Sequence, residues 1–137
     1  MQAISTPHPA PTELPRSSAL AERLRDEVDG HPILSPSKFI DMMGLDVGAF
    51  AAHAHVHRNT VTRAPASASV QGHIRSNLRV LSAAMATSGG DLARAIFWYK
   101  NEPLAPFVYK TAEALVAEGR ADDVINLLES YQAGFIG

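Results

Sequence analysis

The sequence predicts an all-α fold, and three observations support this. No segment alternates apolar and polar residues convincingly over strand length. Val70, Ile74, Leu78, Leu81 and Met85 step by 4, 4, 3 and 4, which lines one face of a long amphipathic helix. Helix starts and stops recur along the chain, with Ser35-Pro36, Asp46, Asp91 and Thr111 as starts and Gly44, Ser88-Gly89-Gly90 and Gly119 as stops. The length, 137 residues, suits one ordinary domain or two small helical ones sharing a core.

The elements follow in order. Residues 1–16 hold Pro7, Pro9, Pro11 and Pro15 and read as a flexible arm. After Ser17-Ser18, Leu20, Leu24 and Val28 fall at i, i+4, i+8 on a charged helix expected to end at Gly30, for packing or dimerisation. Ser35-Pro36 opens a helix through Phe39, Ile40 and Met43, and Asp46 caps the next, with Val47, Phe50 and Ala51. A short break leads to a helix through Val61 that Ala64-Pro65 ends. The long helix starts at Ser69, and Asp91 caps another bearing Leu92, Ala95, Ile96 and Tyr99, which stops before Pro103. A turn-rich stretch reaches Thr111 and a short helix. The last helix carries Val124, Leu127, Leu128 and Tyr131, with Gly134 expected just beyond it.

Composition narrows the functional classes. With no cysteine, disulfides, thiolate metal sites and cysteine nucleophiles are excluded. No run of 18 apolar residues exists, and residues 1–15 are polar and proline-rich, so a soluble cytoplasmic protein without membrane attachment is expected. The net charge of -2 conceals an asymmetry. Residues 1–46 carry seven acids and four bases, as do residues 91–137, whereas residues 47–90 have no acid. That window holds only Arg58, Arg63, Arg75 and Arg79, with His53, His55, His57 and His73, a pattern suited to a surface beside phosphate.

Residues 46–63 read DVGAFAAHAHVHRNTVTR. A helix-turn-helix needs small residues where its helices cross, a tight turn and an apolar anchor on each side. Phe50 and Val61 are the anchors, Ala51 and Ala52 permit close approach, and Val56 follows the turn. Arg58, Asn59, Thr60, Thr62 and Arg63 are the residue types that reach base edges and phosphates. The run resembles the A-x-x-L-G-V-S-R-x-T-V-S-R core of Xre-like repressors. His55 stands at the usual glycine and His57 at the usual serine cap. His55 must then bear a turn conformation that glycine takes freely, and histidine is a poorer N-cap than serine. Spacing of His53, His55 and His57 suits a strand rather than interrupted helices, so no metal site or cofactor is expected.

From Asp91 the chain supplies Ala95 with Trp98-Tyr99, then Glu102-Pro103-Leu104 and Lys110-Thr111. Glu113-Ala114-Leu115-Val116, Gly119, Asp123-Val124, Leu127-Leu128 and Gly134 follow. Over about 45 residues this resembles the C-terminal toxin-binding domain of Xre/MbcA/ParS-type antitoxins. Many members have Gly-Gly and Thr-Pro where this chain has Val108-Tyr109 and Thr111-Ala112, so a turn of different shape is expected. The resemblance implies a helix-turn-helix domain over residues 17–88 and a toxin-binding domain over residues 89–137. It also implies a partner toxin of the RES fold that attacks NAD or uses it, a covered toxin active site, and repression of the operon by an antitoxin dimer bound to operator DNA.

The residues themselves give a compatible picture. Phe97, Trp98, Tyr99, Phe107 and Tyr109 put five aromatics into 13 residues, more than one helix face can bury. Expected toxin-binding residues are Trp98, Tyr99, Phe107, Tyr109, Tyr131, Phe135 and Ile136, with Tyr99 and Tyr109 favoured over Trp98 and Phe107 as interface residues. No nucleophile–base motif, phosphate loop or carboxylate pair with enzymatic spacing occurs, so an enzyme is not expected. The alternative is a stand-alone helix-turn-helix transcriptional regulator without a toxin.

Overall fold

The computed structural model describes residues 16–136, and the side chains of residues 19–134 within them. Most of the arm expected over residues 1–16 lies outside the described residues. The chain is mainly α-helical. Eight described helices and one hairpin follow in the order α1 (Arg16–Arg23), β1 (Arg25–Val28), β2 (His31–Leu34), α2 (Pro36–Met43), α3 (Val47–Ala54), α4 (Arg58–Arg63), α5 (Ala68–Thr87), α6 (Leu92–Asn101), α7 (Ala112–Ala117) and α8 (Ala121–Ile136). Among the described residues no helix is long and apolar enough to cross a membrane.

Local chemistry starts the helices where the sequence predicts. Ser35 Oγ accepts from Lys38 N–H at 3.1 Å, with Pro36 at the first helical position. Asp46, Asp91 and Thr111 likewise accept from the backbone N–H three residues on. The long helix begins slightly earlier than expected, with Ser67 as its cap. Gly134 does not end α8, which runs through it to Ile136.

The helix expected from Ser17 to Gly30 is corrected by the structure. Leu20 and Leu24 are buried on one face, but α1 stops at Arg23 and an antiparallel hairpin follows. Asp29 and Gly30 both take positive φ, 53° and 78°, and form the two-residue turn whose twist suits a hairpin. Pro32 faces Glu27 across the hairpin. Counting outward from the Val28–His31 closing pair puts it at a position that needs no N–H toward its partner strand. The outward groups of Leu34, at the end of β2, are satisfied by α5. Gln71 Oε1 accepts from Leu34 N–H at 2.9 Å, and Gln71 Nε2 donates to the Leu34 carbonyl at 2.8 Å.

One continuous core joins all these helices, and α5 is its axis. Its 20 residues, about 30 Å of helix, touch α1, α2, α3, α6, α7, α8 and β2. Val70, Ile74, Leu78 and Leu81 are buried as the periodicity predicts, and Val80, Ala84, Gln71 and Asn77 are buried as well. The core passes without interruption from Phe39, Phe50 and Val61 to Tyr99, Leu115, Val124 and Leu128.

Tyr99 is anchored in that core by donating its hydroxyl to Asn77 Oδ1. Tyr99→Phe leaves that buried oxygen without its donor and should cost about 1–3 kcal/mol. Urea unfolding should show a lower midpoint at unchanged slope.

Candidate functional site

Two surfaces gather the residues singled out from the sequence. The first is built by α3, the turn at residues 55–57, and α4. Phe50 and Ala51 bury the inner face of α3, and Val61 buries that of α4. His55 closes α3 at φ 59°, ψ 41°, in the left-handed region where glycine is usual. For a residue with a Cβ this costs about 1–2 kcal/mol. Its ring offsets part of that, because Nε2–H donates to the Ala117 carbonyl at 2.6 Å across 62 residues of sequence. His57 is the cap of α4, its Nδ1 accepting from Asn59 N–H at 3.1 Å. Both histidines therefore fill the roles that the glycine and serine of the resembled motif would fill.

Arg58, Asn59, Thr62 and Arg63 are exposed, while Thr60 is half-buried. The Thr62 hydroxyl donates to the Asn59 carbonyl at 3.2 Å. Among the described residues neither Arg58 nor Arg63 has a carboxylate partner. Arg79 differs: its guanidinium meets Asp122 of α8 at 2.7 Å, so an acid distant in sequence neutralises one of the four arginines in the acid-free window. Among the described residues no group of three or more metal-ligating side chains is gathered.

The second surface lies in the C-terminal half. Tyr99, favoured as an interface residue, is 2% exposed and belongs to the core. Burial, and then Glu113, push its phenol pKa up. Ala95 and Tyr99 are four apart and face inward; Phe97, two residues from each, points the other way and is 70% exposed. That helical spacing was the available signal for Phe97, which the expected contact set omits. Trp98 is half-buried against the core, and Phe107 is half-buried with the Arg120 guanidinium 5.1 Å from its ring centroid. Tyr131 is 48% exposed. The side chains of Phe135 and Ile136 lie outside the described residues.

The most unusual geometry is the tip between α6 and α7. A short 3-10 turn, Ala105–Phe107, leads into Val108 and Tyr109, both at positive φ, 56° and 62°. Beneath them Leu104 N–H donates to the Lys110 carbonyl at 2.9 Å, and the Leu104 carbonyl accepts from Tyr109 N–H at 2.9 Å. Lys110 Nζ meets Glu118 at 2.6 Å, and Thr111 caps α7. The backbone thus takes a left-handed conformation that glycine adopts freely, while carrying a β-branched and an aromatic side chain. These are 83% and 69% exposed.

Comparisons with protein-family models, with curated proteins and with solved structures give no match to this chain.

Left-handed valine is strained, so Val108→Gly should stabilise the protein even after the larger backbone entropy of glycine is subtracted. The expected gain is about 0.5–1 kcal/mol, read as a higher melting temperature; a loss of stability would mean that the Val108 side chain packs within the fold.

Proposed function

We propose that this chain is an antitoxin-type repressor, with α3, the turn and α4 forming a helix-turn-helix that reads operator DNA. A surface around Val108–Tyr109 would grip a partner toxin. The observation that carries the proposal is the tip. Two large apolar side chains stand in solvent on a backbone that disfavours them, which costs the isolated chain stability and suits a surface that a partner covers. Strain of this kind concentrates at sites of function. Phe97 and Tyr131 add exposed aromatic anchors in the same half, and the C-terminal Phe135 and Ile136 belong to the proposed contact set. Tyr99 is removed from it, since it holds the core together.

The DNA half of the proposal rests on charge and exposure. Arg58, Asn59 and Arg63 project from a segment without acids, and Thr60 and Thr62 complete the set. Two copies reading half-sites about 34 Å apart would match one turn of the duplex. The resemblance to Xre/MbcA/ParS antitoxins supplies the class of partner, a RES-fold toxin acting on or with NAD.

Co-expression with the product of the adjacent gene tests the whole proposal. A stable co-eluting complex that restores growth is expected, and Tyr109→Ala should release the toxin. Separate elution beside a harmless neighbour overturns the antitoxin assignment in favour of a stand-alone regulator. Arg58→Ala combined with Arg63→Ala should lower operator affinity strongly and reduce the slope of log affinity against log salt by about 2. Neutralisation should survive that pair, measured by growth rescue; losing both functions would indicate an unfolded domain.

A further inference from the structure

The seam where α3, α5 and α7 meet holds titratable side chains that neither proposed surface uses. His53 Nδ1 lies 4.0 Å from Glu113 Oε2, a buried oxygen without a hydrogen-bond partner. The His73 ring stands edge-on to Phe50, with centroids 5.4 Å apart, and lies 6.4 Å from the ring of His53. His73 Nε2 accepts from Asn77 Nδ2 at 3.2 Å, and Asn77 in turn takes the Tyr99 hydroxyl. A cavity of about 290 Å³ opens alongside, lined by His53, His55, His73 and Glu118. The groups facing His73 are therefore His53 from α3, His55 from the turn after it, Tyr99 from α6 through Asn77, and Glu113 and Glu118 from α7 and its end.

We propose that this seam is an acid-operated joint, in which protonation of His73 shifts α3, with α4 attached, from its neutral-pH seat on α5 and α7. Any effect on DNA rests on the proposed function above; the movement itself does not.

Three features support the joint. Only neutral imidazole can accept from Asn77 Nδ2, so a proton on Nε2 sets two donors face to face. Burial, then the neighbouring His53 and His55, lower the His73 pKa from its ordinary 6.5 to about 4. Finally, α4 follows α3 through the three-residue turn at 55–57, and the turn is tied to the C-terminal half by the bond from His55 to Ala117.

The direction follows from the depressed pKa. Above pH 6.5 His73 is neutral whether the seam is closed or open, so the closed state keeps its full advantage. As pH falls from 6.5 toward 4, an open seam takes the proton first and gains. Between pH 7.5 and pH 5 the open-to-closed ratio should rise by up to about 30-fold. Away from this seam, Leu81, Ala84, Val124 and Leu128 give α5 and α8 an apolar contact without histidine.

Because the chain lacks cysteine, Thr62→Cys on α4 and Glu129→Cys on α8, both exposed, accept a pair of spin labels cleanly. The inter-label distance should be single at pH 7.5, with a second, reversible distance growing in by pH 5 while far-ultraviolet circular dichroism stays helical. His73→Gln, which retains a neutral acceptor, should keep the single distance throughout. An unchanged wild-type distance, the same shift in His73→Gln, or loss of helix together with the shift overturns the joint. If His73→Gln does not fold at pH 7.5, the His73 ring resonance replaces it, and a distance change that fails to track that titration is equally fatal. Operator anisotropy over the same pH range separates the two proposals. A shifting distance without any DNA binding sinks the DNA assignment alone, and a fixed distance sinks the joint whatever the DNA does.

Discussion

A central helix with neighbours on most sides needs partners for the polar side chains it carries inward; on α5 two buried amides have them, while the Ser82 hydroxyl is buried without one. Gln71 clamps the end of the hairpin, satisfying both the N–H and the carbonyl of Leu34 and also donating to the Pro65 carbonyl at 2.8 Å. Asn77 binds back to the His73 carbonyl and forward to Tyr99 of α6. Apolar contacts alone would allow these elements to slide, because burial is nearly indifferent to register. A buried amide is not indifferent, since displacing either partner leaves a polar group dry and unpaired. The registers of the hairpin and of α6 against α5 are therefore set by the same helix, and both candidate surfaces inherit their positions from it.

Backbone strain is distributed unevenly over this frame. Gly30, Gly44 and Gly119 take positive φ at turns and helix ends where a missing Cβ makes that conformation easy. His55, Val108 and Tyr109 take it without that relief. At His55 the fold returns something, because the ring reaches α7 and joins the turn before α4 to the C-terminal half. At Val108 and Tyr109 the backbone hydrogen bonds below the tip hold the shape, but the side chains themselves point into solvent. The first is strain spent within the molecule. The second has its counterpart, on the function proposed here, outside it.

What could be read from the sequence was local. Ser35, Asp46, Asp91 and Thr111 cap their helices as expected because an N-cap depends on three or four consecutive residues. The hairpin had a local signal too, since Asp29-Gly30 is a favoured two-residue turn, but the spacing of Leu20, Leu24 and Val28 alone predicts a helix up to Gly30. Tyr99 carried conflicting signals: the step from Leu92 through Ala95 and Ile96 marked it as core, whereas the density of aromatics suggested an interface. Periodicity prevailed, as it should when one side chain must choose a face. The pairing of Arg79 with Asp122, the bond from His55 to Ala117, and the His53–Glu113 approach were not legible. Each joins residues far apart in sequence, and nothing in either segment alone specifies its partner.

Those long-range contacts also change what the charge pattern means. As a string, the acid-free window presents four arginines, but folding brings Asp122 to Arg79 and leaves Arg58, Arg63 and Arg75 as its exposed cations without a carboxylate partner among the described residues. Two of those three stand on α4, so the positive charge narrows toward the helix proposed to meet DNA. The C-terminal half thus does more than follow the N-terminal one. It cancels charge along α5, supplies the carbonyl that steadies the turn before α4, and places Glu113 against His53. A division at residues 88 and 89 separates the two proposed tasks in sequence but not in the packed molecule. Any force that moves α7, whether a proton at the seam or a partner pressing on the tip that leads into it, acts on a contact shared with the turn before α4.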